Sequence, residues 1–178
     1  MWKTKESVIR NDAEPFNEEE TTRIVGEFYH RGYCFFEDIL TREETRILRE
    51  VIQVKYSDPA MYEEDIDQIR GISLMRNFEY DRAFRDLIVR EPFVGVAEVI
   101  LGDDCHMMSQ NALRYEPGQG GGWHADDRLH FPLPDDVPRH DPRITLPCFA
   151  INLLIPLTDA ETIESGVTQV VPGSHYSG

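Results

Sequence analysis

In the first hundred residues, apolar side chains recur at the three- and four-residue spacing of amphipathic helices. Asn17 with Glu20, and Thr41 with Glu44, have the spacing of capping boxes, in which each side chain bonds the other residue's backbone amide. We therefore expect a helix to begin at each pair, and the first to end at Gly32, a residue type typical of helix ends. The same spacing predicts two further helices, over 81–89 and 92–102.

Beyond residue 102 the pattern changes to short apolar segments separated by glycine and proline. Strands are expected in four segments, one of them within the helical part: 33–36, 105–115, 149–157 and 168–171. The segment 149–157, FAINLLIPL, is apolar throughout, which is typical of a strand buried on both faces. Helices that precede strands in this way predict an α+β fold.

The length of 178 residues favours one domain. We expect a loose polar arm at 1–16 and a domain at 17–178. Within this domain, 17–102 is expected to be mainly helical, and 103–178 is expected to form the β portion.

The chain is strongly acidic, with 18 basic and 33 acidic residues and a formal net charge of −15. This balance disfavours nucleic acid and anionic membrane surfaces as partners, because both require clustered Lys and Arg. No apolar run approaches the roughly 18 residues of a membrane-spanning helix, and the N-terminus has no secretory apolar segment. Three widely spaced cysteines fit a reducing compartment. We therefore expect a cytoplasmic protein.

The clearest chemical pattern is His124-Ala125-Asp126, which follows a glycine-rich stretch. On an extended segment, residues two apart project to the same side, so His124 and Asp126 would face one point. An imidazole and a carboxylate held together are two of the three protein ligands in 2-His-1-carboxylate iron sites. An acidic surface turn is the alternative interpretation of the same residues.

Three blocks in this order, LRYEPGQGGGWHADDR, FAINLLIPLTDA and ESGVTQVVPGSH, resemble the phytanoyl-CoA dioxygenase-like family of Fe(II)/2-oxoglutarate oxygenases. The earlier GYCFFEDILTREE is also similar to that family's opening, so the resemblance runs from about residue 17 to the end. It implies helices packed on a double-stranded β-helix (a jelly-roll or cupin-like fold), and a dioxygenase that hydroxylates a small-molecule metabolite.

The resemblance implies that His124 and Asp126 bind Fe(II). Gln110 matches a strand glutamine that in some members of the family lines the pocket for 2-oxoglutarate or substrate; a polar residue on a solvated strand face is the alternative. Thr168 begins an expected strand, and its hydroxyl could donate to a cofactor carboxylate; an ordinary strand threonine is the alternative. No further catalytic residue beyond the metal ligands is assigned.

The family's third ligand is a histidine well beyond the PGSH turn, followed by an arginine that binds 2-oxoglutarate, and the chain ends before both. We therefore expect an incomplete domain that lacks the last strands, is inactive alone, and self-associates through unpaired strand edges. His175 of the PGSH turn is not expected to replace the missing ligand. Two alternatives stay open: a non-catalytic β-helix binding module, and a zinc hydrolase that uses His124, Asp126 and His175.

Overall fold

The computed structural model of the chain describes residues 13–58, 72–116, 118–124 and 148–176. Its helices and strands are, in chain order, α1 (Glu18–Arg31), α2 (Arg42–Tyr56), β1 (Ile72–Met75), α3 (Arg82–Ile88), α4 (Phe93–Leu101) and β2 (Asn111–Arg114). Short 3-10 turns occur at Asn77–Glu79, Ile163–Ser165 and Ser174–Tyr176. The mixed α and β class is therefore confirmed. Most of the expected N-terminal arm, residues 1–12, lies outside the described residues.

Both expected capping boxes are present. The Asn17 side chain accepts from the Glu20 amide at 2.9 Å, and the Glu20 carboxylate accepts from the Asn17 amide at 3.2 Å. At α2, the Thr41 hydroxyl accepts from the Glu44 amide at 3.2 Å, and the Glu44 carboxylate accepts from the Thr41 amide at 2.8 Å. Each box satisfies amide groups that the first helical turn leaves without a partner inside the helix.

The core forms where the apolar face of α2 meets α3 and the small sheet. Its buried residues are Leu48, Ile52, Tyr56, Leu74, Ala83, Phe84, Leu87 and Ala112. Leu48 and Ile52 belong to the stripe that the helical spacing predicts for α2, because residues four apart lie on one helix face.

The sheet consists of β1 and β2, paired antiparallel with Leu74 opposite Ala112. The Tyr56 hydroxyl donates to the Ala112 carbonyl at 3.1 Å and so ties α2 to the sheet. Sequence patterning missed β1, because four residues at the end of a polar stretch show too little alternation to predict a strand.

A buried ion pair connects α2 to the segment between α3 and α4. Arg90 Nη1 lies 3.1 Å from Glu44 Oε1, and the two side chains are 1% and 3% exposed. Arg90 Nη2 also donates to the Ile39 carbonyl at 2.9 Å. Glu44 thus serves both the capping box and the ion pair, which fixes the start of α2 against the rest of the helical part.

Several strand predictions are wrong. The segments 33–36 and 168–171 form no strand, and of the expected strand 105–115 only β2 is regular. The expected buried strand at 149–157 is irregular as well, and Phe149 and Leu154 are 53% and 62% exposed.

The reason is that an apolar run encodes a tendency to be buried but does not specify a hydrogen-bonded neighbour, which a strand requires. Within the described residues, 149–157 pairs with no strand. Ile155 and Leu157 nevertheless pack against the core cluster, so one side of this segment is partly buried.

Candidate functional site

His124 lies at the end of a glycine-rich loop that follows β2. A turn introduces this loop: the Gln119 amide donates to the Glu116 carbonyl at 2.9 Å, and Gly118 adopts a left-handed φ of +85° that favours glycine. The His124 side chain is exposed, and its Nδ1 lies 2.8 Å from the Gly122 carbonyl oxygen.

This contact determines which ring nitrogen can bind a metal. A carbonyl oxygen only accepts hydrogen bonds, so the His124 Nδ1 must carry the proton and the lone pair belongs to Nε2. Metal-bound histidines commonly donate their second ring N–H to a backbone carbonyl in the same way, which fixes the ring's orientation. His124 therefore has the protonation pattern of an Nε2 metal ligand.

Gln110 connects the segment before β2 to the helical part. Its Nε2 donates to the Phe84 carbonyl of α3 at 2.8 Å, and its backbone carbonyl accepts from the Asn77 amide at 3.0 Å. The Gln110 Oε1 atom is buried and makes no hydrogen bond in the described part of the chain. One N–H of the side-chain amide thus ties Gln110 to α3.

Thr168 lies in an exposed, irregular segment rather than on a strand. Among the residues that the structure describes, no hydrogen bond joins Gln110, His124 and Thr168 to one another. Asp126 lies outside the described residues. The assignments of Fe(II) to His124 and Asp126, and of 2-oxoglutarate to Gln110 and Thr168, therefore stay predictions.

The perturbed pKa values lie away from these residues. Burial raises the pKa of the Cys34 thiol, and the nearby Glu27 carboxylate raises it further. Burial also raises the pKa of Cys148, and a backbone hydrogen bond with Ala150 partly offsets this rise. Cys34, Cys105 and Cys148 are all free thiols. Each of the three side chains is half-buried.

The sequence model of the family described as Phytanoyl-CoA dioxygenase (PhyH) matches residues 28–178, which is most of the chain. The chain belongs to this family. The matched range includes the Thr41 capping box of α2, the His124-Ala125-Asp126 pattern and the PGSH turn. Membership in the PhyH family, a family of dioxygenases, confirms the resemblance identified in the sequence.

Two curated relatives are ectoine dioxygenases. The one from Stutzerimonas stutzeri (strain A1501) is 26% identical over 178 residues, which cover 94% of this chain and 54% of the relative. The one from Nocardia farcinica (strain IFM 10152) is 29% identical over 156 residues, covering 83% of this chain and 49% of the relative. This PhyH chain thus spans about half the length of these relatives. No solved structure matches it.

Within the described parts of this PhyH chain, no group of three or more His, Cys, Asp and Glu side chains could hold a metal ion. His175, the other histidine weighed as a ligand, lies against the carboxyl end of α1 instead, with Nε2 2.9 Å from the Tyr29 carbonyl. Of these two histidines, His124 is the one whose ring contact fits a metal ligand. None of the described helices has the length and apolar composition that crossing a membrane requires.

Proposed function

We propose that this chain is the helical part and the first β portion of an Fe(II)- and 2-oxoglutarate-dependent dioxygenase, with His124 and Asp126 as two of its metal ligands. The observation that carries the metal assignment is the 2.8 Å contact between His124 Nδ1 and the Gly122 carbonyl, which leaves the lone pair on Nε2. Membership in the PhyH family supplies the reaction class.

When bound, Fe(II) and 2-oxoglutarate supply the oxidative chemistry that hydroxylates an unactivated C–H bond. The chain's own contribution is to orient the ligands. The Gly122 carbonyl accepts from Nδ1 and so orients the His124 ring. Gln110, tied to α3 by the bond from its amide nitrogen to the Phe84 carbonyl, is proposed to line the pocket for 2-oxoglutarate or substrate.

We propose a free small-molecule metabolite as the substrate. The net charge of −15 repels polyanionic substrates at long range, which disfavours a coenzyme A thioester. Ectoine, the compound in the printed names of the two relatives, is the first substrate to test. The β portion is proposed to belong to a double-stranded β-helix, the fold that the family resemblance implies.

The metal assignment is tested by anaerobic calorimetric titration of Fe(II) into the 178-residue chain and four variants. We expect His124→Ala and Asp126→Ala each to weaken Fe(II) binding at least tenfold. Loss of a residue that only hydrogen-bonds to a metal ligand already lowers metal affinity about tenfold, and loss of the ligand itself lowers it more. The matched controls are His106→Ala, an exposed histidine, and Asp127→Ala, the adjacent acid. Equal affinities of all five proteins for Fe(II) would remove the assignment.

Turnover is a separate question, because the chain spans only about half of its curated relatives. The expectation that the chain is inactive by itself stays a prediction. It is checked by succinate formation from 2-oxoglutarate with Fe(II), ascorbate and O₂ present. A non-catalytic binding module would bind a small ligand but leave 2-oxoglutarate unconsumed even in a longer form of the protein.

We also propose that the chain self-associates. The two-stranded sheet has outer edges on both strands, and backbone groups at such edges can pair with another chain. Large apolar side chains in the β portion, among them Leu153, Leu154 and Val171, are exposed.

A further inference from the structure

The carboxyl end of α1 needs hydrogen-bond donors from outside the helix. The last four carbonyls of any α-helix have no partner within it, and here they belong to Phe28, Tyr29, His30 and Arg31. The Gly32 amide donates to the Phe28 carbonyl at 2.7 Å and so satisfies one of them locally. The other terminal carbonyls need donors from water or from other parts of the chain.

A distant turn supplies these donors. The Gly173 amide donates to the Arg31 carbonyl at 2.8 Å. His175 Nε2 lies 2.9 Å from the Tyr29 carbonyl, and the Tyr176 hydroxyl donates to the same oxygen at 2.6 Å. Residues 172–176 thus bring three donors to two carbonyls at the end of α1.

Gly32 makes this approach possible. Its φ of +86° lies in the left-handed region, which side chains disfavour. A Cβ atom at this position would also lie 2.5 Å from His175 Nδ1 and 3.0 Å from Cγ of the same ring. Glycine is therefore favoured at position 32 for two reasons. The backbone at the helix end has a positive φ, and the His175 imidazole lies where a Cβ atom would be.

The contacts also define the state of the His175 ring. Since the Tyr29 carbonyl can only accept, Nε2 must carry a proton, and Nδ1 faces the backbone of Gly32. With Nε2 used as a donor and Nδ1 next to Gly32, the end of α1 determines the position of the ring.

We propose that residues 172–176 form a clasp that caps the carboxyl end of α1, and that His175 is a capping residue rather than a metal ligand. The clasp joins residues 146 positions apart in sequence. It fixes the segment that contains Thr168 against the helical part, because α1 in turn packs against α4. This role goes beyond the proposed oxygenase function and does not depend on it.

The test is a double-mutant cycle on the 178-residue chain with His175→Ala, Gly32→Ala and the combination. Urea unfolding and hydrogen exchange at the Gly173 amide are measured for each. We expect His175→Ala to raise the unfolding equilibrium constant about tenfold, the typical effect of losing one or two hydrogen bonds. Because the steric conflict at Gly32 disappears with the imidazole, the double variant should lose less than the product of the two single effects.

Two further variants separate capping from a general effect of substitution. His175→Gln keeps an N–H donor and should retain most of the stability and of the Gly173 protection. His30→Ala removes an exposed histidine in the last turn of α1 and should change neither. If urea unfolding is not cooperative, the hydrogen-exchange rate of the Gly173 amide alone tests the clasp.

Unchanged exchange at Gly173 in His175→Ala would overturn the clasp, and so would single effects that multiply exactly in the double variant. Loss of Co(II) binding in His175→Ala would also overturn the proposal and assign the ring to a metal. The Fe(II) titration of His124→Ala tests the oxygenase proposal independently, so the two can fail separately.

Discussion

The two histidines that the sequence weighs as ligands differ in which ring nitrogen is used. His124 donates from Nδ1 to a carbonyl two residues away, which leaves the outer nitrogen, Nε2, with the lone pair. His175 uses Nε2 against the Tyr29 carbonyl, and its Nδ1 faces Gly32. The hydrogen bond of each ring therefore distinguishes the two roles: donation from Nδ1 fits an Nε2 metal ligand, and donation from Nε2 to the end of α1 fits a capping residue.

Arg90 offers a prediction on stability. Arg90→Ala would leave the buried Glu44 carboxylate without its guanidinium partner, which typically costs 3–5 kcal/mol. We expect a loss of about 3 kcal/mol in the free energy of unfolding, because Thr41 still donates to Glu44. Urea denaturation followed by circular dichroism measures it.

The matched control is Arg46→Ala, which removes an arginine paired with Glu43 and Glu50 on the surface of α2. Exposed ion pairs contribute little, because water screens both partners. No comparable loss is expected for this variant. Similar losses in both arginine variants would show that the buried ion pair contributes no more to the free energy of unfolding than the exposed pairs do.

Thiol reactivity gives a second prediction at this scale. The raised pKa values of Cys34 and Cys148 mean that, at a given pH, less thiolate is present than in an ordinary cysteine. Alkylation by iodoacetamide at pH 8 should therefore be slower at both thiols than in the urea-unfolded chain. It should accelerate as the pH rises toward their pKa values. Peptide mass spectrometry gives the rate for each thiol, and equal rates in both states would contradict the prediction.

At the scale of helices and strands, the sequence predicts the contacts between residues that are close together in the chain. The capping boxes at Asn17 and Thr41 involve residues three apart, so their spacing is visible in the sequence and both form. The pairing of β1 with β2 joins segments on either side of α3 and α4, and no local pattern specifies it. The apolar run 149–157 predicts partial burial but not its pairing.

The capping box of α2 leads to the element-scale prediction. Thr41→Ala removes the hydroxyl that accepts from the Glu44 amide and donates to the Glu44 carboxylate. We expect a loss of 1–2 kcal/mol in the free energy of unfolding, the upper part of the range for helix caps. Thr45→Ala is the control, since its hydroxyl only donates to the Thr41 carbonyl within the helix. An equal loss in both variants would mean that capping is not the cause.

At the scale of the whole molecule, the candidate site is only partly accessible to sequence reasoning. The spacing of His124 and Asp126 indicates ligand types, because both would project from one side of an extended segment. The ring orientation of His124 could not be predicted, since it depends on the turn that brings the Gly122 carbonyl to Nδ1. Gln110 shows the same limit: its residue type suggests a pocket, whereas its amide nitrogen is fixed by α3.

Most of the exposed large apolar side chains of the described residues lie after α4, and the chain carries a net charge of −15. Apolar contact favours association between copies, whereas the shared negative charge opposes it, and salt screens only the charge. Sedimentation velocity should therefore show association that strengthens from 0.05 to about 0.5 M NaCl, where the screening length falls well below 10 Å. Leu154→Lys should weaken it, while Val54→Lys, an equally exposed apolar position on α2, should not. If salt dissociates the oligomer, ionic contacts hold it together, and the apolar surface of the β portion is not the interface.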